Sequence, residues 1–121
     1  MKCLRHLWLI AMVALVGCEA NHAAPTPIAA AQIPAEMRKG FAHARPETTQ
    51  LLDKMLGALE AKDYTAAYTA GQEISAVAGI TKEQLLVTAR SMLEINRLLM
   101  EAKAQGDSKA AGFIDYQRHN R

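Results

Sequence analysis

The chain has 121 residues with 14 lysine and arginine against 12 aspartate and glutamate side chains, so it has room for one small domain and excludes a multidomain enzyme. Alanine is abundant, and aromatic residues make up only 5% of the chain. Because alanine is the best helix former and strands favour aromatic and β-branched residues, this composition predicts an all-α fold.

The first residues of the chain have the pattern of a secretory signal peptide. A short charged start is followed by an uncharged apolar stretch from Leu7 to Val16. This stretch is shorter than the roughly 20 apolar residues that cross a bilayer, so residues 1–17 are predicted to be a cleavable leader. Lys2 and Arg5 belong to this leader, and the remaining chain has equal numbers of basic and acidic side chains. The balance excludes the broad basic field of non-specific nucleic-acid binding, and no nucleic-acid partner is predicted.

The apolar stretch ends in Leu15-Val16-Gly17-Cys18, which places an aliphatic residue three positions before the cysteine and a small residue directly before it. This arrangement resembles the lipobox of bacterial lipoproteins. The resemblance implies cleavage before Cys18, attachment of fatty acyl chains such as palmitate to Cys18, and anchoring in a membrane. Glu19, which follows the cysteine, implies by the same resemblance an outer-membrane anchor facing the periplasm. The alternative is an ordinary signal peptide with a buried cysteine.

Residues 18–45 are predicted to be a tether between the lipidated cysteine and the domain. Positions 19–33 are rich in alanine and proline and show neither helical nor strand periodicity. Pro34 is expected to open a short helix with Met37 and Phe41 on its apolar side.

Residues 46–121 are predicted to form a small antiparallel helical bundle. Asp63 and Asp107 are expected to be N-caps, and the sequence from Thr81 to Gln84 is a capping box. Because the connections are short, neighbouring helices must run antiparallel, which gives two helix hairpins. The apolar periodicity and these caps predict helices that begin at Pro46, Tyr64, Lys82 and Ser108.

The two hairpins form an internal repeat, since a shift of about 44 residues places Asp63 on Asp107 and Ala66-Ala67 on Ala110-Ala111. Each copy is a long helix, an Asp-capped turn and a second helix that opens with an alanine pair. The first copy resembles the tetratricopeptide type of helix hairpin. The period is longer than the roughly 34 residues of that family, and the large aromatic residue expected early in its first helix is missing.

No residue pattern typical of an active site occurs in the chain. The histidines outside the leader are His22, His43 and His119, and none is spaced with a second ligand for a helical metal pair. The chain also lacks a nucleophile elbow and a glycine-rich phosphate loop. We therefore predict that the protein is not an enzyme and uses neither a cofactor nor a metal.

The third predicted helix, which begins at Lys82, carries the candidate interaction site. Its apolar arc is too wide for one neighbour to cover, and Asn96 is expected to lie buried within it. Ile95 and Leu98 at the edge of the arc are predicted to be covered by the Met37 and Phe41 segment, by a second copy, or by a partner helix. The rest of the helix surface is a charged strip that either docks a partner or is only a solvated face, and it consists of Arg90, Glu94, Arg97 and Glu101.

The sequence thus predicts an outer-membrane-anchored periplasmic lipoprotein that acts as a helical protein-interaction or assembly module. The expected partners are the membrane, through Cys18, and another protein or a second copy of the chain. Two alternatives remain open. One is a carrier with a small molecule or a metal in a cavity between the helices, and the other is a structural envelope lipoprotein that contacts peptidoglycan.

Overall fold

The computed structural model describes residues 24–121, which form a short 3-10 turn and five α-helices. No strand occurs in this part of the chain, so the predicted all-α class is confirmed. The 3-10 turn spans Ala30–Gln32, and the helices are α1 (Ile33–Gly40), α2 (Pro46–Glu60), α3 (Tyr64–Ser75), α4 (Lys82–Ala104) and α5 (Ser108–His119).

The predicted leader and the predicted lipidation site Cys18 lie outside the described residues. Within residues 24–121, no helix combines the length and the hydropathy that a membrane span requires.

The predicted capping residues mark where the later helices begin. At the start of α4, Thr81 Oγ1 accepts a hydrogen bond from the Gln84 backbone at 3.1 Å, and Gln84 Oε1 accepts one from the Thr81 backbone at 3.1 Å. Asp63 and Asp107 each accept a hydrogen bond from the backbone N–H three residues further on, both at 3.1 Å. These bonds satisfy donors that the first turn of a helix otherwise leaves unpaired.

The turns of the two repeat copies share an unusual backbone conformation. Lys62 has φ 57° and Gly106 has φ 92°, and each directly precedes the capping aspartate. This left-handed region is open to glycine but strained for a lysine. The two copies are also joined directly, because Lys109 Nζ lies 2.8 Å from Asp63 Oδ2. The hydrogen bond from Lys109, followed by that from the Ala66 backbone, holds the pKa of Asp63 below its ordinary value.

Ion pairs between neighbouring helices agree with the predicted antiparallel hairpins. Lys54 on α2 lies 3.4 Å from Glu73 near the end of α3, and Lys103 near the end of α4 lies 3.3 Å from Asp115 on α5. Since most of these side chains are well exposed, the pairs contribute little to stability. Their value here is that they show which helices are neighbours.

The core includes a segment that the sequence analysis assigned to the tether. Ile28, Ile33, Met37 and Phe41 are all buried, with at most 4% of each residue exposed. Residues 28–41, hereafter the N-terminal strap, therefore belong to the domain, which starts well before Pro46. The spacing of Met37 and Phe41 indicates an apolar side, but the linker-like composition and the 3-10 turn hide the burial of Ile28 and Ile33 and the start of the domain.

Helix α4 lies at the centre of the bundle and contacts α1, α3 and α5. The residues of α4 that are buried include Thr88, Ser91, Ile95 and Leu99, whereas Asn96 is exposed. The expectation that Asn96 lies buried in the apolar arc was therefore wrong. The strap packs on the side of α4 away from Asn96, and so the buried arc is rotated relative to the predicted one.

Candidate functional site

The two apolar residues predicted to form an open interaction edge are covered to different extents. Ile95 is fully buried and belongs to the same core cluster as Met37 and Phe41 of the strap. Ile95 is therefore closed to a partner, which corrects its assignment to the interaction site. Of the three predicted coverings, the Met37 and Phe41 segment is the one present in the described chain. Leu98, by contrast, is half-buried and lines a groove described below.

The predicted charged strip of α4 is only partly solvated, which corrects the assignment of Glu94 to a wet face. Glu94 is buried, with 7% of the residue exposed, and its carboxylate accepts hydrogen bonds from Arg97 Nη2 at 2.7 Å and Nε at 3.1 Å. Arg97 also donates to Glu101 at 2.9 Å. The bonds and charge of Glu94, followed by the bond to Glu101, hold the pKa of Arg97 above its ordinary value.

The remaining member of the strip, Arg90, fastens the beginning of the described chain to α4. Its Nε donates to the Thr26 carbonyl at 2.9 Å, and its own carbonyl accepts from the Ile28 backbone at 3.3 Å. Within the charged strip, Arg90 thus binds the beginning of the described chain, and Arg97 pairs with Glu94 and Glu101. These hydrogen bonds occupy polar atoms that a docking partner would otherwise bind.

A groove of about 670 Å³ lies between the N-terminal strap and α2 and provides the strongest candidate site. Its volume falls within the roughly 300–1,000 Å³ of typical ligand sites, which often lie between the helices of a bundle. One wall comes from Ala30, Ala31 and Pro34, and the opposite wall from α2. The remaining lining residues are Arg38, Asp53, Leu56, Gly57, Leu59, Glu60, Lys62, Tyr64 and Leu98.

The groove combines an apolar lining with charged groups at its rim. Leu56 is buried, and Leu59 and Leu98 are half-buried, so they present carbon atoms to an occupant. Arg38 Nη1 donates to Asp53 Oδ1 at 3.2 Å, and this exposed pair connects the strap to α2 across the groove rim. Such a site suits an apolar group that carries polar atoms, because burial of the apolar group supplies free energy and the rim provides hydrogen-bond partners.

Lys62 is the strained residue of the groove rim. Its φ of 57° costs backbone energy that glycine avoids, and the equivalent position of the second repeat is glycine, Gly106. Strained residues are common at functional sites, where the side chain is needed in spite of its backbone cost. Here the conformation ends α2, because the Lys62 and Asp63 backbones donate to the Leu59 and Ala58 carbonyls at 3.0 and 2.9 Å. Lys62 is a candidate contact because it lines the groove.

Most of this groove could not be predicted from the sequence. The apolar residues of α2 follow the period of a core-facing helix, and nothing in that period distinguishes Leu59 at a groove from Leu52 in the core. The opposite wall falls in the predicted tether. A usable signal was present only in Pro34, which marks the start of the helix that forms this wall.

Within the part of the chain that the structure describes, no three histidine, cysteine, aspartate or glutamate side chains lie close enough together to hold a metal ion. No protein family, curated protein or solved structure matches this chain.

Proposed function

We propose that the chain is an envelope lipoprotein, anchored in the outer membrane through Cys18, whose helical domain acts as a protein-interaction module facing the periplasm. Its binding site is the groove between the N-terminal strap and α2, and its ligand is an apolar segment of a partner protein. The lipobox sequence at Cys18 supports the anchor, and the groove supports the interaction.

The single observation that carries the proposed interaction is an open, apolar groove whose rim is charged. Partner helices and strands dock in grooves of this kind through a row of apolar side chains, and rim charges set their orientation. Ala30 and Ala31 in one wall are small, so the backbone of a partner can approach the strap closely. Arg38 and Lys62 supply cationic groups and Glu60 an anionic group for polar contacts at the edges.

A second candidate function is supported by the groove volume. A cavity of about 670 Å³ would also hold a small apolar molecule, which would make the protein a carrier. The two functions differ in what fills the groove in the cell, and this difference can be measured directly.

Gly57 allows the groove to be filled without disturbing the fold. It lies in α2 on the groove lining, and a Cβ added there meets nothing within 4 Å. Gly57→Trp should therefore occupy the groove, whereas Gly57→Ala leaves it open and favours the helix by about 1 kcal/mol. Gly112 on α5 has equally open surroundings and does not line the groove, so Gly112→Trp controls for an added indole.

The test uses photocrosslinking of the full-length protein in its own cells. A benzophenone side chain replaces Glu60 at the groove rim, and a matched protein carries it at Gly112. We expect a protein adduct from position 60 that disappears with Gly57→Trp and persists with Gly57→Ala. An absence of any protein adduct specific to position 60 would reject the interaction module.

The carrier function gives a different result in the same proteins. A bound small molecule would be recovered by solvent extraction and mass spectrometry from the wild-type protein and from Gly57→Ala, and would be lost from Gly57→Trp. That outcome without a protein adduct would favour a carrier.

The lipid anchor is tested independently. Cys18→Ala should abolish incorporation of labelled fatty acid and release the protein from the membrane fraction. Retention of the acyl label by this variant would contradict the proposed anchor, whatever the outcome of the groove experiments.

A further inference from the structure

The outer side of α4 carries a row of exposed apolar side chains. Leu86, Leu93 and Met100 are spaced by seven residues and are 52%, 43% and 41% exposed. Seven residues are nearly two helical turns, so the three side chains follow one line along α4 that is about 21 Å long. Leu85, which is 44% exposed, lies beside this line. Leu85, Leu86, Leu93 and Met100 are hereafter the apolar row.

The described chain begins close to the apolar row. Arg90 lies four residues after Leu86 and three before Leu93, which places it on the same side of the helix. Its Nε holds the Thr26 carbonyl at 2.9 Å. Cys18 precedes Thr26 by only eight residues, which span about 28 Å when fully extended. Cys18 can therefore lie no further than about 28 Å from Thr26, which keeps a membrane that holds Cys18 within reach of the apolar row.

We infer that the apolar row of α4 rests on the surface of the phospholipid bilayer that holds the acylated Cys18. This inference rests on the proposed lipid anchor. In this arrangement α4 lies parallel to the membrane plane, and the leucine and methionine side chains enter the boundary between headgroups and acyl chains.

The bilayer fits the apolar row better than a second copy of the chain does. The row comprises four partly exposed side chains, whereas a stable protein interface uses about 20–30 residues on each side. A surface that is already tethered needs little affinity of its own, because the anchor keeps it at a high effective concentration near the lipid. Lys82, one turn before Leu86, and Arg90 and Arg97 beside the row place cations at the level of the headgroup phosphates. The nearby carboxylate of Glu101 is paired with Arg97 at 2.9 Å.

The position of the groove agrees with this orientation. Leu98, which lines the groove, is five residues after Leu93 and therefore about 140° away around the axis of α4. With the apolar row on the bilayer, the groove side of α4 faces away from the membrane, where a periplasmic partner can reach it.

Tryptophan fluorescence tests this contact. The only tryptophan of the chain is Trp8 in the predicted leader, so a processed protein has no background emission. Full-length, lipidated protein carrying Leu93→Trp is reconstituted in phosphatidylcholine vesicles with and without brominated acyl chains. Because bromine quenches only indoles at the depth of the acyl boundary, we expect about a twofold loss of emission and a blue shift. Gly57→Trp in the groove is the control and should not be quenched, and Met100→Trp should behave as Leu93→Trp does.

Each outcome bears on the inference, and the anchor is measured in the same samples by mass spectrometry of the Cys18 peptide. Acylated protein with unquenched Leu93→Trp and Met100→Trp overturns the membrane contact and leaves the anchor intact. A blue shift without quenching by bromine shows that another protein surface, such as a second copy, covers the row, and this also overturns the inference. An unmodified Cys18 removes the anchor and the inference together.

Discussion

The two sides of α4 differ more in burial than in apolar content. The side covered by the strap and by α3 includes Thr88 and Ser91, both fully buried, whereas the open side carries Leu86 and Leu93. Neighbouring elements, and not apolar content alone, thus decide which side of this helix becomes core. A helix with apolar residues around most of its circumference cannot be oriented from its own sequence.

Small residues explain why the covered side can be partly polar. The hydroxyl groups of Thr88 and Ser91 donate to the carbonyls of Gln84 and Val87 at 2.7 and 2.8 Å, one turn earlier in the same helix, so their burial leaves no donor unpaired.

Two glycines on the neighbouring helices show how closely these helices approach α4. A Cβ added to Gly40 of α1 would lie 3.0 Å from Val87 Cγ1, and one added to Gly71 of α3 would lie 3.0 Å from Met92 Cγ. Both α1 and α3 therefore pack against the covered side of α4 at distances that leave no room for a larger residue without some movement of the neighbour.

Removal of the strap, which covers one side of α4, should lower the stability of the domain more than any other change. A chain that begins at Pro46 loses the buried side chains of Ile28, Ile33, Met37 and Phe41, each worth about 1.5–3 kcal/mol. Their sum is comparable to the whole stability of a small domain, so we expect loss of the cooperative thermal transition in circular dichroism. A chain that begins at Ala24 is the control and should retain it. A cooperative transition at an unchanged temperature in the shorter chain would show that the strap is dispensable.

Single truncations on the two sides of α4 should differ by several-fold. Ile95→Ala removes a fully buried side chain and should lower the free energy of unfolding by about 2–5 kcal/mol. Leu93→Ala, two residues away on the open side, should lower it by less than about 1 kcal/mol. Urea denaturation of both variants in detergent-free buffer measures the difference. Equal losses would mean that the two sides are covered alike.

The burial of Ile95 also determines what a lysine substitution at this position does to the fold. Ile95→Lys together with Leu98→Lys would change only an exposed edge if both residues lay at the surface. Because Ile95 lies in the core, a lysine there introduces an unpaired buried charge, and we expect the double variant to unfold. Surface association is better tested at Leu86 or Leu93.

The sequence predicted the features that depend on local interactions. The starts of α2 to α5 follow from Pro46, Asp63, the Thr81 capping box and Asp107, each of which acts within one turn of its helix. The side of α4 that becomes core depends on a contact with residues far away in the chain, such as that between Ile28 and Arg90, and no local pattern encodes it. The groove escaped prediction for the same reason, since one of its walls is the strap.

The two capping aspartates also differ in burial and in their contacts. Asp63 is half-buried and bonded to Lys109 in the other repeat copy, whereas Asp107 is exposed and bonds only to its own helix. Loss of an N-cap costs about 0.5–2 kcal/mol, and we expect Asp63→Ala to exceed Asp107→Ala because it also removes the contact with Lys109. Urea denaturation at neutral pH compares the two variants, and an equal or smaller loss for Asp63→Ala would show that the contact with Lys109 adds nothing.

The cost of Asp63→Ala should depend on pH. The pKa of Asp63 is lowered in the folded state, so its stabilisation is complete above the ordinary aspartate value of about 3.9 and is lost as the pH falls through the folded-state value. The difference in free energy of unfolding between wild type and Asp63→Ala should therefore shrink in acid. A difference that stays constant from neutral pH to pH values below both pKa values would contradict the assignment.

The smallest effect is expected at Asn96, on the open side of α4 between Leu93 and Met100. A buried, paired amide at this position would cost stability when replaced, but the residue is exposed and makes no described hydrogen bond through its side chain. Asn96→Leu should therefore raise the free energy of unfolding by about 0.5 kcal/mol or less, because leucine is the better helix former. The same substitution adds a large apolar side chain beside the apolar row, so it should strengthen the association of the lipidated protein with vesicles while leaving stability almost unchanged. A loss of several kcal/mol in urea denaturation would place Asn96 in a packed interface and reverse the assignment of the two sides of α4.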